Sequence, residues 1–178
     1  MLKYDYFSML YEITEGCCEA VKYACKKRVQ SYTKIGKIRA GSYKVLCELE
    51  RALFSDFLPP LDRAAIAAYA HALCELTDAA LIYSRSSPIQ YIPTSQKGFD
   101  YYCTSLAEIF KESVSLLEKI KKSSDIPRIE EFREKKSRAL ESICDGIQAP
   151  QLLAAQQGLL LSISKAFDTL VELILKSI

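Results

Sequence analysis

The stretch that decides the fold is FLPPLDRAAIAAYAHALCELTD, Phe57 to Asp78. Pro59 and Pro60 cannot continue a helix, because each lacks an N–H and clashes with the preceding turn. Asp62 follows, a side chain suited to accept a bond from the first free N–H groups of a new helix. From Arg63 the residues are small and apolar, with no turn-forming glycine or proline until Pro88. The spacing predicts a helix from Asp62 to about Arg85, entered through a sharp break.

Outward from this helix, the same punctuation divides the chain into six segments with apolar positions near the 3.6-residue period. The first spans about Tyr4 to Gln30. The second starts at Thr33 or Lys37 and ends at Asp56. The fourth covers Phe99 to Lys122, and the fifth follows the break at Asp125 and Pro127 and runs to about Cys144. The sixth begins near Pro150. Only SSPIQYIPTSQKG, residues 86–98, is a long turn-like stretch, and it separates two halves. No window alternates with the strand period. The expected fold is all-α: an elongated six-helix bundle of two tandem three-helix repeats, 1–87 and 95–178. Asp78 and Asp168 occupy matching places in the two halves.

Composition agrees with long elements and few turns. The 178 residues are 49% hydrophobic and 26% charged, with six glycines and six prolines. That profile belongs to a folded chain, not a disordered one. The start, MLKYDYFSMLYEITEG, has no uninterrupted apolar core of a secretory signal. No run approaches the roughly 18 apolar residues a membrane span needs. The expected setting is cytoplasmic. Seven cysteines with no Cys-x-x-Cys spacing read as reduced, buried thiols acting as small hydrophobes.

Two clusters stand out. His71, Glu75 and Asp78 are spaced i, i+4, i+7, with Cys74 between them. Imidazole, carboxylate and thiol at one-turn spacing are candidate ligands for one divalent ion, though a single helix supplies an incomplete set. The second cluster is electrostatic. From Ala20 to Cys47 there are eight basic residues and no acid: Lys22, Lys26, Lys27, Arg28, Lys34, Lys37, Arg39 and Lys44. The whole chain is only +2, so the block is local. Such a surface suits phosphate, anionic lipid or an acidic partner. It lacks a nucleic-acid-binding signature, and nucleic acid is not an expected ligand. With one histidine, no Gly-x-Ser-x-Gly and no phosphate loop, an enzyme is not expected.

DYFSMLYEITEGCCEA, together with LERALFSDFLPPLDRAAIAAYAHALCELTDAAL, resembles the PhoU-like proteins that accompany Pit-type phosphate transporters. Leu53, Phe57, Pro60, Asp62-Arg63 and Asp78 carry the resemblance. It implies tandem three-helix bundles and a non-catalytic role in regulating phosphate uptake at the membrane face. The partner it implies is a Pit-type transporter or another protein at the membrane surface. It also implies acid-x-x-x-acid motifs that hold metal clusters, since carboxylates one turn apart can bridge hard cations. In this chain those places carry Arg39 and Tyr43, Cys74 and Asp78, Arg133 and Ser137 (or, one residue on, Glu134), then Ser164 and Asp168. Only Asp78 and Asp168 keep the carboxylate. The resemblance therefore implies a scaffold whose metal site is worn away, with no cofactor, or at most a single divalent metal on Asp78, Asp168, Cys74 and His71. The basic residues Lys27, Arg28, Lys34, Lys37, Arg39 and Lys44 become the expected anion- or partner-binding surface. Apolar, tyrosine-bearing helix faces would also admit a homodimer.

Overall fold

The structure is a computed structural model that describes residues 5–26, 31–56, 59, 61–85, 103–105, 107, 111, 130–131, 133–134, 137–138, 141 and 154–176. The protein is all-helical, with no strand among these residues. Four helices are described from end to end: α1 Tyr6–Lys26, α2 Ser31–Ser55, α3 Arg63–Arg85 and α4 Ala154–Leu175. Residues 103–105, 107 and 111 are helical, as are those described between Glu130 and Glu141. The bounds of the expected fourth and fifth helices lie outside the described residues, as do the 86–98 stretch, the Asp125 and Pro127 break, and the tandem division that depends on them.

Local chemistry sets the helix ends. The Asp5 carboxylate accepts the Ser8 N–H at 3.0 Å and caps α1. At the same end of the hairpin, the Tyr6 hydroxyl donates to the Ala52 carbonyl at 3.1 Å and lies 3.0 Å from the Asp56 carboxylate. These contacts pin the start of α1 to the end of α2, so the two helices are antiparallel. The cap expected of Asp62 is present: its Oδ1 accepts the Ala65 N–H at 2.8 Å. Arg63 reaches back to the Asp56 carbonyl at 2.6 Å, occupying an acceptor that the end of α2 leaves open.

α3 is the centre of the packing. It lies against α1, α2 and α4. Its buried set, from Ala65 and Ile66 through Tyr69, Leu73 and Leu76 to Ala80 and Tyr83, covers more than one stripe. A helix enclosed on several sides must be apolar nearly all round, which explains the Ala-rich run. Against the sequence expectation, α3 is long and apolar enough to cross a membrane, by length and composition. The enclosure by three helices accounts for that composition. α4 runs antiparallel to α3, with Lys165 on Glu75 at 2.5 Å and Lys176 on Asp62 at 3.7 Å.

Close approach of α1 and α2 has a specific cause. A Cβ on Gly16 would lie 3.1 Å from Ser42 Oγ and 3.3 Å from Ile38 Cγ2. Cys17, Cys18, Cys25, Cys74 and Cys103 are buried and free, as the reading of small hydrophobes requires, whereas Cys47 is exposed. The interior hydroxyls are paired. Thr14 donates to the Leu10 carbonyl at 2.7 Å and lies 3.1 Å from the Tyr69 hydroxyl. No buried side-chain nitrogen or oxygen among the described residues lacks a partner.

Candidate functional site

α2 and α3 bring together three residues that are far apart in sequence. Arg39 sits two turns into α2, Tyr43 one turn further, and Asp78 lies near the end of α3. Antiparallel packing places them at one level. The Arg39 Nε donates to Asp78 Oδ1 at 2.5 Å, and its Nη2 lies 3.5 Å from Oδ2. The Tyr43 hydroxyl donates to Oδ2 at 2.9 Å. The Arg39 guanidinium also lies 4.7 Å from the Tyr43 ring centre, a cation over an aromatic face. Asp78 is thus held by two donors on the same neighbouring helix.

The electrostatics follow from those contacts. The hydrogen bond to Asp78 raises the Arg39 pKa further above its usual range. Partial burial, then the bond to Asp78, raises the Tyr43 hydroxyl and keeps it a donor. Cys74, one turn before Asp78, is buried. Burial first, and the nearby Asp78 charge second, push its thiol up to about 12. A thiol in that state is a poor ligand, because metals bind the thiolate.

The remaining sequence candidates are distributed as follows. His71 lies 2.9 Å from Glu50 of α2 and is exposed. Glu75, expected on the same face as His71 and Asp78, turns to Lys165 of α4. The i, i+4, i+7 set is therefore shared between two neighbouring helices. Asp168 and Lys165 are exposed on α4, and Ser164 is half-buried. Arg133, Glu134 and Ser137 are exposed; Ser137 bonds Glu141 at 2.8 Å and Glu134 meets Arg138 at 3.0 Å. Among the described residues, no three His, Cys, Asp or Glu side chains are grouped so as to share an ion.

Of the basic candidates, Lys34, Lys37 and Lys44 are exposed on α2. Lys34 lies over the Tyr23 ring at 4.9 Å. Lys27 and Arg28 lie outside the described residues. Arg39 differs from the others, since its charge is engaged internally by Asp78. Two features were missed in the sequence. Arg85 stacks on Tyr32 with 3.9 Å to the ring centre and also bonds its hydroxyl. Between the end of α2 and the start of α3 is an open groove of about 510 Å³ beside Leu53, Phe54, Ala64 and Ala67, and Phe54 is 89% exposed. Neither has a motif; both arise from residues that only tertiary packing makes neighbours.

No known protein family, curated protein or solved structure matches the chain.

Proposed function

We propose that this protein is a non-catalytic, PhoU-like regulatory or accessory protein of phosphate transport that acts by binding a protein or an anion. In this reading the chain is two tandem three-helix repeats, 1–87 and 95–178. The observation that carries it is the meeting of Arg39 and Tyr43 with Asp78. These are positions that the PhoU-like resemblance assigns to two metal-binding motifs. Here an internal ion pair takes the place of bridging carboxylates. A guanidinium beside Asp78 opposes cation entry by charge and occupies the oxygens a cation would need.

The working surface then becomes the exposed bases of α2. Lys34 and Lys37 are its test positions. Arg39 is not, because reversing it would disturb the α2–α3 contact as well as any ligand. The experiment is labelled-phosphate uptake in cells that express a Pit-type transporter, with and without this protein. Uptake should change when the protein is present, and Lys34→Glu with Lys37→Glu should remove the change. Uptake that is indifferent to the protein overturns the proposal.

The alternative reading is a helical metal-binding scaffold that uses Cys74 and Asp78 for an unrelated purpose. Their one-turn spacing favours it. The protonated, buried thiol and the engaged carboxylate count against it.

A further inference from the structure

Among the described residues, the four helices α1–α4 are polarised by charge along their common axis. The last turns of α1 and α3 and the first turns of α2 lie at one end, as the antiparallel order of the helices requires. That end carries Lys22, Lys26, Lys34, Lys37 and Arg85. Within about 11 Å of it, at about 1.5 Å of rise per residue, the acids on α1–α4 are Glu19 and Asp78, and Asp78 faces Arg39. The first eight residues of α4, AAQQGLLL, lie at the same end of α3 and are uncharged. The opposite end reverses the sign: on α1–α3 it holds Asp5, Glu12, Glu48, Glu50, Asp56 and Asp62 against Arg51 and Arg63.

The basic end is also amphipathic. Ile82 is 61% exposed and Tyr32 36% exposed. Ile82 precedes Arg85 by three residues, hence on the same face of α3, and Arg85 rests on Tyr32. A bare aliphatic side chain thus lies one helical turn from a cation that rests on an aromatic ring. Long basic side chains around exposed aromatic and aliphatic groups match the interfacial zone of a bilayer, where rings and stems enter and charges stay in the headgroups.

We propose that this basic end docks the protein onto an anionic lipid bilayer, with the acidic end facing away. Neutral attraction would not select an end; an axial charge asymmetry does. A nucleic-acid surface fits less well, because the bases cap a bundle end and do not track along a groove or a single helix face. The inference rests on the reading above only in taking the basic block as the working surface.

The test is co-sedimentation of the full chain with large vesicles of phosphatidylcholine alone or with phosphatidylglycerol. Binding should require phosphatidylglycerol and should fall as salt shortens the screening length. Each base near the surface contributes about fivefold to partitioning, so Lys34→Glu with Lys37→Glu should lower it more than tenfold. Both positions are exposed; Lys34→Gln with Lys37→Gln, which avoids new acids, should give a smaller loss. Ile82→Ser should weaken binding at all salt concentrations, whereas Glu12→Gln at the far end should not. Equal partitioning of the wild type and the double reversal would overturn the proposal, as would tighter binding to a short nucleic-acid duplex at the same salt. These vesicles hold no transporter, so failure here leaves the phosphate-uptake test independent.

Discussion

Breaking the Arg39–Asp78 contact should separate an internal brace from an incidental surface pair. The perturbation is a double-mutant cycle of Arg39→Ala, Asp78→Ala and both together. Unit charges about 4 Å apart interact by about 1 kcal/mol in water and about 4 kcal/mol near a protein surface. The Arg39 side chain is 44% exposed and that of Asp78 33%, so solvent screening pulls the value toward the lower figure. A coupling of about 1 kcal/mol is expected, at the top of the range for exposed pairs. Tyr43 adds its own bond to the same carboxylate, and Tyr43→Phe should cost up to about 1 kcal/mol. Asp78→Ala should then cost more than Arg39→Ala, since it removes the acceptor for both donors. The assay is urea unfolding followed by circular dichroism, with the midpoint shifting and the slope unchanged. Additive single losses, with no coupling beyond about 0.3 kcal/mol, would refute the brace.

Other outcomes follow from packing, burial and charge. Gly16→Val should destabilise the α1–α2 contact in thermal melts, because its Cβ would press on Ser42 and Ile38; Gly41→Ala, which meets nothing within 4 Å, should stabilise by up to about 1 kcal/mol. Brief alkylation followed by peptide mass mapping should label Cys47 first among the six described cysteines, since burial pushes the Cys18 and Cys74 thiols up to about 12 and raises Cys17 as well. Glu15 accepts from Lys111 at 2.5 Å, and that bond holds its carboxyl below the usual carboxylate range. A depressed folded pKa contributes stability above the unfolded value and loses it as pH falls through the folded value. Lys111→Ala should therefore lower the melting temperature slightly at neutral pH, and the difference should close as the pH falls through the lowered Glu15 value, beneath the ordinary carboxylate range.

What the sequence made legible was the local chemistry. The Asp62 cap, the stop at Asp56 and the apolar run of α3 depend on neighbours in the chain, and all three stand where the residues place them. The start of α2 was less legible. Helix begins at Ser31, ahead of Thr33 or Lys37, because Ser31 and Ile35 are buried one turn apart and tertiary packing extends the helix toward its turn. The site divides in the same way. His71, Glu75 and Asp78 do share a side of α3, but long side chains on one side can reach different neighbours, and these reach Glu50, Lys165 and Arg39. The pairing of Arg39 with Asp78 spans 39 residues. Periodicity within one helix cannot show it, and the sequence reading did not join those two positions. The polarity of the bundle was half visible: the basic block was plain, but its concentration at one end needed the order of the helices.

The account turns on whether the place between α2 and α3 is closed by Arg39 or holds an ion. Elemental analysis of the protein, purified without chelators after exposure to iron, zinc and magnesium, tests that most directly, with Asp78→Ala alongside. The account predicts substoichiometric metal in both proteins. A stoichiometric ion in the wild type that disappears in Asp78→Ala would contradict it.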